Sequence, residues 1–211
     1  YNKPDGLVTG NAHTDWVRRP QLSSTTASYM WSTDTIGSSL KVIADYTRST
    51  KQESNTLLSS YSDASMDRGF RTITPSTTDL YSAQADYTQA LRDKAMARAG
   101  VKYVRTDRHN IIQAEDAAAG TWIKNAGGSN DFLYNEYLLM FYGAYERRFR
   151  KTSMKAGLRG EQTYSEGRSL TSGENIRRNY FGWFPSLFLD HTLQEEAGNS
   201  IHLNYSRRVR R

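Results

Sequence analysis

Residues 154–163 read MKAGLRGEQT, and they sort by alternation: Met154, Ala156, Leu158 and Gly160 fall on one side, Lys155, Gly157, Arg159, Glu161 and Thr163 on the other. A period of two marks an extended strand with one apolar and one wet face. A soluble sandwich and a membrane barrel both produce it, so the rest of the chain must decide. Hydrophobic residues are 37% of the sequence, and nowhere do they form the run of ~18 that a transmembrane helix requires. A transmembrane strand stays open, because it needs only about 9–11 residues, half of which can be polar.

The 211 residues suffice for one medium domain. The sequence begins at Tyr1 and shows no signal peptide, so either a leader was removed or this is a piece of something longer. It has no cysteine, which excludes disulfides and thiolate metal sites. The formal charge is +6, from 28 basic and 22 acidic residues, but most Lys and Arg are spread singly along alternating segments. The exception is RRVRR at 207–211, which follows the strand-like NSIHLNYS and is expected to cap or line a strand rather than bind nucleic acid.

Four short polar connections, STDTIGSS (32–39), LRDKA (91–95), RRFRKTS (147–153) and QEEAGNS (194–200), are flanked by period-two runs, as hairpin turns are. Between them lie longer polar connections at 49–78, 109–131 and 165–178. Short and long connections thus alternate strictly; a structureless loop of this length is uncommon in a compact soluble domain, whereas the pattern is expected of an outer-membrane barrel, with tight periplasmic turns and long external loops. The strands predicted are 24–31, 39–48, 80–91, 95–107, 132–147, 153–164, 180–193 and 200–209. An all-β, antiparallel, up-and-down barrel segment of about eight strands is the fold class they imply.

Alternation also assigns faces. Val42, Tyr46, Tyr87, Val101, Tyr103, Leu158, Trp183, Leu187, Leu203 and Tyr205 are expected to face lipid. Asp45, Asp86, Arg98, Lys102, Lys155, Arg159 and Glu161 have the opposite parity and are expected to face the lumen. Arg or Lys on a lipid face at mid-depth would cost roughly 2–4 kcal/mol, so confinement of charge to one parity is what a bilayer selects. Only 132–147 is apolar on both faces; there the outward set is expected to be Leu139, Phe141, Gly143 and Tyr145. Tyr87 and Tyr145 lie by short turns, and Tyr46, Trp183 and Tyr205 toward long loops, which suits the aromatic girdles of a barrel. On a soluble sheet the same charges would be an ordinary solvated face.

The opening stretch has a sibling, ARAGVKYVRT at 97–106, and ADYT occurs at both 44–47 and 85–88. DYTQALRDKAMARAGVKY (86–103), YGAYERRFRKTSMKAGLRGEQTYSEG (142–167) and NYFGWFPSLFLDHTLQEEAGNSIHLNYSRRVRR (179–211) resemble successive parts of a TonB-dependent-receptor-like barrel. They are most similar to the outer membrane protein beta-barrel family abundant in Bacteroidetes, with GLRGEQT, FPSLFL and NYSRR the most specific marks. The similarity runs from about residue 27 onward. It implies location in the cell outer membrane, within a barrel of about 22 strands whose plug and N-terminal module this chain lacks. It further implies nutrient binding or uptake, a TonB-type energy-coupling partner acting on the absent plug, a surface lipoprotein as a further partner, and ligand contacts from the loops at 49–78 and 109–131.

No catalytic signature is present. His13, His109, His191 and His202 lack metal-ligand spacing, and there is no G-x-S-x-G, P-loop or G-x-G-x-x-G. Glu115 and Asp116, in AEDAAAG, are expected in a helical turn of an external loop, where an acidic pair is more commonly plain surface than a calcium site. No enzyme, cofactor or nucleic-acid partner is expected. Two alternatives remain open at this point: a small structural or adhesive outer-membrane barrel, and a soluble β-domain binding a polyanion.

Overall fold

The computed structural model describes residues 2–3, 6–118, 120–194 and 198–208. After a two-residue ladder, β1 (Asn2–Lys3) with β2 (Gly6–Leu7), eight long strands follow in an antiparallel meander: β3 (Gly10–Ser32), β4 (Ser39–Tyr61), β5 (Arg68–Leu91), β6 (Ala95–Ala118), β8 (Asn130–Phe149), β9 (Thr152–Ser169), β10 (Asn175–Gln194) and β11 (Asn199–Ser206). A short strand, β7 (Thr121–Lys124), folds back on β6. Each long strand pairs with its neighbour in sequence, and the sheet runs β11-β10-β9-β8-β6-β5-β4-β3 without closing. Among the described residues the only helix is one 3₁₀ turn, Ala64–Met66, and no helix is long and apolar enough to cross a membrane.

The turns at one end are tight, for local reasons. In 33–38 the Asp34 carboxylate accepts the N–H groups of Ile36 (3.0 Å) and Ser38 (2.8 Å), and Gly37 takes φ +108°. Ser38 is buried there; its hydroxyl accepts the Ala90 N–H at 2.9 Å and so ties this turn to β5. Arg92–Lys94 and Arg150–Lys151 make the next two turns. The fourth, at 195–197, lies outside the described residues, as do residues 209–211 at the end of the expected RRVRR cap.

The strands are longer than the alternation indicated. Segments 49–78 and 109–131, expected as loops, are mostly strand: β4 and β5 form one continuous hairpin whose turn is only 62–67, and β6 runs to Ala118. Likewise β3 begins at Gly10, and 165–178 contracts to a turn at 170–174. Both faces of these extensions are polar, so no hydrophobic period betrays them, while the backbone ladder continues unbroken. Proline leaves its mark. Pro75, without an N–H, pairs with Gln52 on β4, yet the register to β6 skips from Ile73 to Ser76.

Register defines two faces. The row Tyr29, Val42, Ala85, Val101, Phe141, Gly160, Trp183 crosses from β3 to β10 on one face. The row Thr26, Asp45, Ser82, Val104, Leu138, Thr163, Tyr180 crosses on the other. The two faces are unequally crowded. Of the described buried strand residues, Ser82, Ala114, Leu138, Glu161, Thr163, Ser165, Ser169 and Phe184 belong to the second face and only the small Ala95 and Gly160 to the first. Crowding on one side and splaying on the other is what a sheet curled toward the crowded face produces. Rows also climb relative to the turns: Trp31, next to the end of β3, shares a row with Pro185, well short of the end of β10. Such stagger is the shear that tilts strands in a barrel wall.

Candidate functional site: an apolar belt and a polar inner wall

On the splayed face the apolar residues form a belt across every long strand. Val42, Tyr46, Tyr87, Val101, Tyr103, Leu158, Trp183, Leu187, Leu203 and Tyr205 all share this face, as do Leu139, Phe141, Gly143 and Tyr145. Tyr205, expected toward the long loops, instead shares the row of Tyr145, Ala156 and Leu187 near the short turns, because β11 starts only at Asn199. Within the belt, rings cover glycines. Phe141 lies across Gly160, where a Cβ would come within 2.5 Å of its Cζ, and packs edge-on to Trp183 at 5.6 Å.

The belt ends abruptly along one row: Thr25, Tyr46, Tyr81, Arg105, Tyr137, Tyr164, Asn179. Tyr46 and Tyr81 stack at 4.9 Å, the Arg105 guanidinium lies 5.5 Å from the Tyr137 ring centre, and Tyr137 meets Tyr164 at 6.1 Å. The next row outward is charged, with Arg48, Asp79, Asp107, Glu166 and Arg177. On β6 the belt spans Ala95 to Arg105. That is ~33 Å along the strand at ~3.3 Å per residue, or about 25 Å along the normal at a tilt of roughly 40°. The apolar band of an outer-membrane barrel is also ≈ 25 Å tall.

Several belt residues are more than half exposed, including Tyr29 (65%), Trp31 (55%) and Leu203 (58%). Soluble monomers rarely expose contiguous apolar patches larger than a few hundred Å², and larger ones mark sites of protein or membrane contact.

The crowded face carries Asp45, Asp86, Arg98, Lys102, Lys155, Arg159 and Glu161. The Asp45 carboxylate accepts the Thr26 hydroxyl at 2.7 Å and the Ser82 hydroxyl at 2.9 Å. Asp86 accepts the Gln84 amide at 2.6 Å and the Tyr142 hydroxyl at 2.5 Å. Tyr142 reaches Asp86 across a whole strand because Gly100 stands between them; a Cβ there would lie 2.5 Å from Tyr142 Cε1. Arg98 pairs with Glu146 at 3.1 Å, and Arg159 donates to Glu161 at 2.8 Å while lying 5.3 Å from the Phe184 ring centre. Lys102 sits in the row between Gln84 and Met140. Lys155 and Arg159 flank a hollow of about 320 Å³ over Gly157, walled by Tyr142, Phe184 and Phe188. Charges of both signs thus neutralise one another along this wall. Exposed pairs of this kind contribute about 0–1 kcal/mol each, so they set polarity more than stability.

Alternation alone missed the partners that organise this wall, Tyr142 and Glu146, and of the buried hydroxyl stripe Thr163, Ser165 and Ser169 on β9 it placed only Thr163 on the wet side. Gly100 and Gly157, on the wet parity of alternating strands, were the available signal.

Beyond the belt the extensions carry polar contacts within and between strands. Lys51, followed by the Trp16 indole N–H, holds the Glu53 carboxyl below its usual range (2.7 and 2.9 Å). Asn175, then Arg177, does the same for Glu166 (2.8 and 3.0 Å). Glu115 and Asp116 lie in strand, not in the helical turn expected, because pairing with β5 and β7 continues through both. They therefore point to opposite faces: Glu115 pairs with Arg71, and Asp116 accepts the Asn125 amide at 2.8 Å. Among the described residues no three His, Asp or Glu side chains gather as a metal site.

The model of the outer membrane protein beta-barrel family matches residues 31–211. Among solved structures, the unliganded ferric citrate transporter FecA is similar at 14% identity (TM-score 0.47, covering 75% of this chain and 25% of that one). The copper transporter OprC is similar at 12% identity (TM-score 0.41, covering 89% and 38%). The ferric yersiniabactin uptake receptor FyuA from Yersinia pestis is similar at 12% identity (TM-score 0.37, covering 91% and 41%). The chain therefore spans from a quarter to about two-fifths of these proteins. No functionally curated protein matches it.

Proposed function

The chain belongs to the outer membrane protein beta-barrel family and resides in the cell outer membrane; from that premise we propose that it is one arc of a larger, plugged barrel that takes up a nutrient. The carrying observation is that the apolar belt runs edge to edge across a sheet with two open sides. Trp31 and Tyr29 lie on β3 and Leu203 and Tyr205 on β11, yet among the described residues neither strand has a second neighbour. An unpaired edge as long as β3 is an aggregation template in isolation and a lateral seam when further strands continue the wall.

In this reading the ten belt residues meet lipid and the seven charged wall residues face the lumen. There Asp45, Asp86, Arg98, Lys102, Lys155, Arg159 and Glu161, with the hydroxyl stripe of β9, give a balanced wet surface against which a plug can sit and move. The role is that of a receptor or transporter wall, not an enzyme. Energy would come from a TonB-type partner through the plug, and a surface lipoprotein would meet the external extensions at 49–61, 68–78 and 109–118.

The test uses the full-length protein with its plug excised. Planar-bilayer recordings should then show large, stable conductances, and cells should admit an antibiotic too bulky for ordinary porins. A closed small barrel would give neither, and that result would remove the wide-bore reading.

A further inference from the structure

The short-turn end of the splayed face carries a cationic corner that the wall function leaves unused. Because β6 pairs with β8, the turns Arg92–Lys94 and Arg150–Lys151 lie side by side, linked by a hydrogen bond from the Arg148 N–H to the Lys94 carbonyl at 3.4 Å. Five basic residues are exposed there (Arg92, Lys94, Arg148, Arg150 and Lys151), with Arg147 half-buried behind them. Asp93, 3.4 Å from Arg147, is the one acidic residue in these two turns. Lys94 and Arg150 take positive φ (+55° and +34°), a region that favours glycine; basic side chains stand where the backbone would prefer none.

Two observations point to a ligand on the lipid side. The Nε of Arg147 is buried without a hydrogen-bond partner, although its guanidinium lies 4.6 Å from the Phe149 ring centre. Beside it, a hollow of about 590 Å³ is bounded by Phe149, Arg150, Lys151, Thr152 and His191. Phe149, Thr152 and His191 form one row of the belt face, and the row above is Arg147, Met154, Leu189, Leu203. Cations therefore sit at the mouth of a hollow whose inner side continues directly into the apolar belt.

We propose that this corner is a site for one anionic phospholipid of the periplasmic leaflet. Its phosphate lies among Arg147, Arg150 and Lys151, and its acyl chains lie over Met154, Leu187 and Leu189. The proposal rests on the membrane orientation given above. The charge match is direct: guanidinium and ammonium groups against a phosphate at the boundary between wet turns and greasy strands, where basic side chains attract anionic headgroups. A soluble polyanion would have no use for the apolar half of the hollow.

The test takes the full-length protein into nanodiscs made from equal phosphatidylglycerol and phosphatidylcholine, then into detergent for native mass spectrometry of retained lipid. The wild type should retain phosphatidylglycerol in preference, on the order of tenfold, and inorganic phosphate should not displace it. R147Q/R150Q/K151Q should abolish that preference, while R48Q/R177Q, at the other rim of the same belt, should keep it. Equal retention of both lipids by the wild type, or unchanged retention by the triple variant, overturns the site, as does displacement by inorganic phosphate. Heat-modifiable migration of every variant reads the barrel separately. If the wild type fails to insert at all, the wall reading falls; if it inserts without lipid preference, only the site does.

Discussion

Val101→Arg and Val104→Arg place the same charge three residues apart on β6, and the account predicts that they differ sharply. Val101 lies in the row Val42, Ala85, Val101, Phe141, Gly160, on the belt face. From Val101 to the bounding row at Arg105 is ~13 Å along the strand at ~3.3 Å per residue, or about 10 Å in depth at a tilt near 40°. In a band ≈ 25 Å tall, Val101 is thus within a few ångströms of the midplane, where Arg costs roughly 2–4 kcal/mol. At 1.4 kcal/mol per factor of ten, that is about a 30- to 700-fold change in the unfolding equilibrium. Val104 belongs to the row of Asp45, Ser82 and Thr163 on the inner face, where Asp45 is near enough to welcome a cation. Its change should stay within about 1 kcal/mol. Guanidinium titrations of the full-length protein refolded into vesicles, followed by tryptophan fluorescence, supply the comparison. Equal costs at the two positions would refute the assignment of faces, and a larger cost at Val104 would invert it.

Gly100→Val should break the Tyr142–Asp86 contact, since a Cβ there would lie 2.6 Å from Asp86 Oδ1. Overpacking of this kind costs about 1–3 kcal/mol, and Tyr142→Phe, which loses the hydrogen bond without the clash, should cost less in the same titration. Glu53 and Glu166 have folded-state pKa values below their unfolded ones. Their contribution is therefore present above about pH 4.3 and lost as pH falls through the folded values. Hydrogen-exchange protection at 49–56 and 164–168, taken relative to the intrinsic rate at each pH, should fall at pH 3 compared with pH 6, with the protection of belt residues 97–103 unchanged. The 211-residue chain alone should associate through the edges of β3 and β11; proline at Arg18 and Ser28, which like Pro20 turn their backbone N away from β4, should slow that association in light scattering without altering the far-ultraviolet β signal.

The two faces of the sheet were legible because apolar and charged side chains alternate along the strands. Every belt and wall residue named from alternation lies with its own group, even in 132–147, where Leu138, Met140 and Tyr142 make the inner parity as apolar as the outer. The lengths of the strands were not legible. Beyond the Tyr46–Tyr164 row polar residues occupy both faces, so 49–61 and 109–118 carry no hydrophobic period and read as loop. What continues there is the backbone ladder, which side chains do not encode. The β-branched run Thr72, Ile73, Thr74 was a hint, countered by Pro75, which the hairpin tolerates by giving up pairing to β6 at that point. Long-range partners such as Tyr142 with Asp86 depend on register between strands and on an intervening glycine. No single strand reveals that.

The most direct test of the central claim uses the absence of native cysteine. Single cysteines at Leu158 and Arg159, adjacent in β9 and opposite in face, are compared in the full-length protein in native membranes with a lipid-partitioning and a water-soluble thiol reagent. The account predicts that position 158 labels from lipid alone and position 159 from water alone. Poor labelling of both from lipid, with free labelling of 159 from water, would place Leu158 in a protein core and contradict the membrane wall.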